Sequence, residues 1–122
     1  MKTLPLLLLM GASVALGLLM AHRFWRREKN RPVHIALHLL LGIAGLEAMA
    51  MLKRGAPDGS VLAAGTWGDA ALLALAISVI TGFVLTVVGP QGARAPGVAA
   101  LGAHAAAGAA GFGLFLAWLA AA

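Results

Sequence analysis

Four apolar stretches, each long enough to cross a bilayer as a helix, take up most of this chain and decide what it can fold into. They run at about 3–21, 33–52, 66–88 and 97–121. A helix rises ~1.5 Å per residue, so about 20 apolar residues cross a hydrocarbon layer of ~30 Å. Lipid offers no hydrogen bonds to the backbone, which favours helices that satisfy their own peptide groups. Charged residues are only 11% of the 122, too few to clothe a water-facing surface. The fold class expected is all-α, an integral membrane four-helix up-down-up-down bundle, with 1–122 forming a single transmembrane domain. Cysteine is absent, which excludes disulfides, thiolate metal sites, iron–sulfur clusters and covalently attached haem.

The first stretch has two readings. Lys2, a leucine-rich core and the small residues Ala15 and Gly17 fit a secretory signal peptide. The apolar run, however, continues to Ala21 and meets HRFWRREKNR, with five positive charges against one negative. Such a block favours a retained helix whose basic end stays in the cytoplasm. Arg31-Pro32 opens the second stretch and Lys53-Arg54-Gly55 closes it. Pro32 suits a helix start, where its missing N–H is no loss. GAPDGS is turn chemistry, Asp69 sits where it favours the dipole of the third helix, and Gly89-Pro90 ends that helix. QGARAP is a short connection to the fourth stretch.

The net charge of +5 does not point to nucleic acid, because the cations flank membrane spans. With the termini outside, Arg23, Arg26, Arg27, Lys29, Arg31 and Arg94 face the cytoplasm, and Lys2, Lys53 and Arg54 face out. Trp25 then marks one membrane interface, and Trp67 and Trp118 the other. The expected location is the inner, cytoplasmic membrane of a bacterium, as a multi-pass protein with both termini outside. Small residues in Ser13-x3-Gly17 and Gly102-x3-Ala106-x3-Ala110 fit close helix packing. Ser78, Thr81 and Gly82 share one face of the third helix, and their hydroxyls suit bonds to carbonyls or to a neighbouring helix.

Two histidines lie within the apolar zone, where polar groups are costly and read as functional. His38-Leu-Leu-Leu-Gly42-Ile-Ala-Gly45 and His104-Ala-Ala-Ala-Gly108-Ala-Ala-Gly111 share the spacing H-x3-G-x2-G. In the expected topology the second and fourth helices are parallel. The two histidines then differ in depth by roughly 3 Å at helical rise. At 100° per residue the glycines fall within about 40° of their histidine. Two imidazoles with side-chain-free space beside them fit a flat cofactor between two helices, and a b-type haem requires axial ligands of this kind.

In these two segments and in its four-helix plan, the chain resembles the small membrane b-type cytochromes, which hold haem with histidines from two helices. The resemblance covers about a quarter of the sequence. It implies an electron-transfer subunit of a larger respiratory or redox complex, exchanging electrons with a quinone or a partner subunit. In that reading one haem b lies between spans two and four, with His38 and His104 as iron ligands and Gly42, Gly45, Gly108 and Gly111 beside the ring.

Other readings stay open. A membrane histidine can simply hydrogen-bond a neighbouring helix, which leaves a cofactor-free accessory subunit packing its Gly/Ala faces against partner helices. His34 and His38, as an i, i+4 pair, could serve a metal-ion carrier, and a histidine among small residues can ligate a chlorophyll. His22 and His34 read as interfacial. Glu47, mid-span and turned ~180° from the histidine face, suits a proton relay, a quinone site or a partner contact. Nothing resembles a nucleophile with its base or a phosphate loop, so no catalytic activity is expected of the chain alone. Reporter fusions test the topology: a fusion at Ala122 should report outside and one within 26–31 inside. A cytoplasmic signal at Ala122 would reverse the orientation, and a mature protein beginning after Gly17 would remove a span.

Overall fold

The computed structural model describes residues 3–55, 65–88 and 94–121. It contains four α-helices, α1 (Leu4–Trp25), α2 (Pro32–Arg54), α3 (Thr66–Val88) and α4 (Arg94–Ala121), and no strand among the described residues. All four are long and apolar enough to cross a membrane. The chain is therefore all-α and a multi-pass membrane protein. The GAPDGS turn beyond Gly55 and the Gly89-Pro90 stop lie outside the described residues.

Three helices exceed the apolar stretches that announce them, α2 by Pro32 at its start and Lys53-Arg54 at its end. α1 continues past Ala21 to Trp25, carrying His22 and Arg23 in its last turn, where cations complement the negative helix end. α4 begins at Arg94, so Pro96 lies inside its first turn. The first N–H groups of a helix have no intrahelical acceptor, and proline forfeits nothing there. α2 ends at Arg54 with Gly55 at φ 102, the left-handed backbone that glycine adopts freely at a helix end. α1 ends less easily. Arg27 takes φ 60, a conformation costing a side-chain-bearing residue roughly 1–2 kcal/mol. Backbone bonds from Arg27 N–H to the Phe24 carbonyl and from Glu28 N–H to the Arg23 carbonyl hold it there.

The chain divides into two compact units, Met1–Met49 and Ala50–Ala122. In the first unit, α1 and α2 pair antiparallel. Leu6, Met10 and Ser13 are the buried side of α1, and Gly45 and Met49 the buried side of α2. These are i, i+4 and i+7 positions, one stripe on each helix.

In the second unit, α3 and α4 pair the same way. Ala71, Ser78, Phe115 and Trp118 are buried between them. The rings of Phe115 and Trp118 are tilted at a centroid separation of 6.4 Å. Trp118 is thus a core residue, 2% exposed, whereas Trp25 and Trp67 are exposed as interface anchors would be. Gly68 makes room for it, since a Cβ there would stand 3.0 Å from the indole Nε1. Asp69 does more than favour the α3 dipole: it pairs with Lys53, in the last turn of α2.

Candidate functional site

His38 faces α1. Its Nδ1–H donates to the backbone carbonyl of Ser13 at 2.8 Å, while Ser13 Oγ donates to the His38 carbonyl at 3.3 Å. Ser13 Oγ also lies 3.4 Å from Nδ1, a longer second branch of the same donor. A carbonyl can only accept, so Nδ1 carries a proton. Each residue gives a side-chain hydrogen bond to the other's backbone.

The second unit repeats this arrangement. His104 Nδ1–H donates to the Ser78 carbonyl at 2.7 Å, Ser78 Oγ donates to the His104 carbonyl at 3.2 Å, and the Oγ to Nδ1 distance is 3.3 Å. The pairs are 25 residues apart in one hairpin and 26 in the other. Ser78 keeps its carbonyl available because Thr81 Oγ1 only shares it, donating to the Ile77 and Ser78 carbonyls at 2.8 and 3.0 Å.

The glycines follow the same duplication. A Cβ on Gly17 would stand 3.0 Å from His38 Cε1, and one on Gly82 would stand 3.0 Å from His104 Cε1. Gly42 faces Ser13 Oγ at 3.4 Å and Gly108 faces Ser78 Oγ at 3.1 Å. One turn on, Gly45 receives Met10 and Gly111 receives Leu75. The contacts align in three matched steps, Gly17 on His38, Ser13 on Gly42 and Met10 on Gly45, repeated by Gly82 on His104, Ser78 on Gly108 and Leu75 on Gly111. The chain is therefore built from two copies of one helical hairpin.

This placement bears on each residue singled out from the sequence. The space beside Gly42, Gly45, Gly108 and Gly111 holds side chains of the partner helix in the same hairpin. His38 and His104 belong to different units and are each held by the serine of their own. Met49 is fully buried in the first unit. Glu47 is exposed, on a different side of α2 from Gly45 and Met49. His22 is exposed and His34 half-buried with its Nδ1 enclosed and unbonded. Among the described residues no group of three or more His, Cys, Asp or Glu side chains gathers to hold a metal ion.

The expected bond from Ser78 to a carbonyl of a neighbouring helix is present, but neither serine was read as the partner of a histidine. The signal was present, because Ser13-x3-Gly17 recurs as Ser78-x3-Gly82 one helix upstream of each H-x3-G-x2-G segment. The chain matches no protein-family model, no curated protein and no solved structure.

The two hairpins differ where they meet their third glycine. A Cβ on Gly111 would lie 2.8 Å from Leu75 Cγ and 2.9 Å from the Leu75 backbone nitrogen. The three atoms nearest to a Cβ on Gly45 all belong to the Met10 side chain, the closest being Sδ at 2.8 Å. Methionine can swing away and a backbone cannot. Gly111→Ala should therefore destabilise by about 1–3 kcal/mol, the usual cost of overpacking, and Gly45→Ala by less than about 1 kcal/mol. Unfolding of each variant in mixed micelles, followed by circular dichroism, measures the difference.

Proposed function

We propose that this chain is a structural membrane subunit, a duplicated pair of helical hairpins that docks on partner helices and uses its histidines to lock the hairpins. The observation that carries this reading is the filled glycine face. Gly42, Gly45, Gly108 and Gly111 receive Ser13, Met10, Ser78 and Leu75, so the face expected to border a cofactor is already occupied. The outer surface supports a partner. Gly102 and Gly113 have nothing within 4 Å of where a Cβ would sit, and Gly102, Ala106, Ala109, Gly113 and Ala117 form one exposed stripe along α4. Helices associate in lipid through such surfaces, because small side chains let backbones approach. Glu47, exposed near the middle of α2, fits a partner contact better than a role inside the hairpin. The proposed location is a bacterial cytoplasmic membrane, with the termini outside.

A second reading keeps the electron-transfer role, with one b-type haem held by His38 and His104 and a quinone or partner subunit as redox partner. One observation favours it. Donation from Nδ1–H to a carbonyl is the support that orients a metal-ligating imidazole. Bound haem would supply reversible one-electron chemistry. The chain's own contribution would be to hold the two rings in the correct tautomer.

The visible spectrum of the purified protein separates the two. The structural reading predicts no Soret band, together with a solubilised assembly larger than the 12.3 kDa chain. Gly102→Leu combined with Gly113→Leu should reduce that assembly without loss of helicity. A low-spin Soret band that disappears in both His38→Ala and His104→Ala would establish the second reading instead.

A further inference from the structure

The segment joining α1 to α2 holds more positive charge than its own hairpin can use. Its cations are Arg23, Arg26, Arg27, Lys29 and Arg31, and its one anion is Glu28. Glu28 is already engaged twice, with Arg23 Nη2 at 3.7 Å and Arg26 Nε at 3.4 Å. Arg23 is further tied inward by donation from Nη2 to the Lys29 carbonyl at 3.0 Å. Asn30 Nδ2 donates to the Met20 carbonyl at 3.2 Å and closes the segment onto the end of α1. Arg27, Lys29 and Arg31 are left, all exposed and with no acidic residue of the segment to pair with.

Arg27 makes the excess charge more telling. It stands at φ 60, where glycine would be the unstrained residue, yet the position carries a guanidinium. Two residues earlier Trp25 is 79% exposed, at the end of a membrane-length helix. Indole rings in that position sit at headgroup level, which places the three cations beside the lipid phosphates.

We propose that Arg27, Lys29 and Arg31 form a binding surface for the headgroup of an anionic phospholipid. The occupant follows from charge complementarity and depth. An ordered, strongly basic rim at the water boundary of a membrane protein meets lipid phosphate before anything else, and anionic lipid answers its net charge where zwitterionic lipid does not. Guanidinium groups add paired N–H donors that match phosphate oxygens.

The experiment uses the full chain in mild detergent, offered equimolar phosphatidylglycerol and phosphatidylcholine, with retained lipid counted by native mass spectrometry. The wild type should retain phosphatidylglycerol preferentially. Each interfacial cation is worth roughly fivefold in affinity, so Arg27→Gln/Lys29→Gln/Arg31→Gln should lower the preference at least about tenfold. Because loop charge also orients the chain during insertion, Arg27→Lys/Arg31→Lys serves as the variant that keeps charge, and it should retain most of the preference. Excess inorganic phosphate should not displace the lipid. Equal retention of the two lipids by the wild type, an unchanged preference in the triple Gln variant, or full displacement by inorganic phosphate would each overturn the proposal.

Discussion

A polar side chain inside a bilayer has to find its hydrogen bonds within the protein, and in this chain that requirement is met by one exchange used twice. An imidazole N–H reaches across to a serine carbonyl, and the serine hydroxyl reaches back to the histidine carbonyl. A serine hydroxyl can also turn back to a carbonyl of its own helix, as Thr81 and Thr86 do, but an imidazole N–H needs an acceptor from a neighbouring helix. Together the two bonds join two helices at a fixed height and register. Side-chain hydrogen bonds between membrane helices are worth only about 0.6 kcal/mol on average, so the exchange specifies the pairing more than it supplies its strength.

The strength comes from closeness, and closeness comes from glycine. Helices in lipid gain nothing from burying apolar surface against each other, so packing contacts must be many and short. Gly17 and Gly82 leave the room that the imidazoles occupy, and Gly42 and Gly108 do the same for the serine hydroxyls. The result is a hairpin in which the histidine and its glycines form one device: without the glycines the ring would be pushed away from its carbonyl. Duplication then gives a chain of two such hairpins, with different fillings at the outer step, methionine in the first and leucine in the second. The aromatic core of Phe115 and Trp118 belongs to the second hairpin alone.

The architecture was legible because hydropathy is a one-dimensional signal. Four apolar runs of spanning length announce four membrane helices, and their ends were misjudged where charged or proline residues extend a helix beyond its apolar part, at His22 to Trp25, at Pro32, at Lys53-Arg54 and at Arg94 to Pro96. The histidines and glycines were legible as a repeated pattern, and their partners were not. Periodicity places His38, Gly42 and Gly45 on one face of α2 but does not say which helix that face meets. The choice falls to α1 through Ser13, whose small side chain reads in sequence as packing and acts in the structure as a hydrogen-bonding partner. The same blindness applies to Trp118, which reads as an interface anchor until Gly68 is seen to open a place for it.

The duplicated lock requires Nδ1 to carry the proton that each membrane histidine gives to its serine carbonyl, and the ring nitrogens report this directly. Nitrogen-15 NMR of histidine-labelled protein in bilayers, at alkaline pH where imidazole is neutral, should show His38 and His104 each locked as the Nδ1–H tautomer. Exposed His22 should show the averaged pattern of a solvated ring. His38→Ala and His104→Ala assign the two locked signals. If both rings instead appear as the Nε2–H tautomer or average like His22, the serine carbonyls do not hold them, and the duplicated lock is not the basis of this fold.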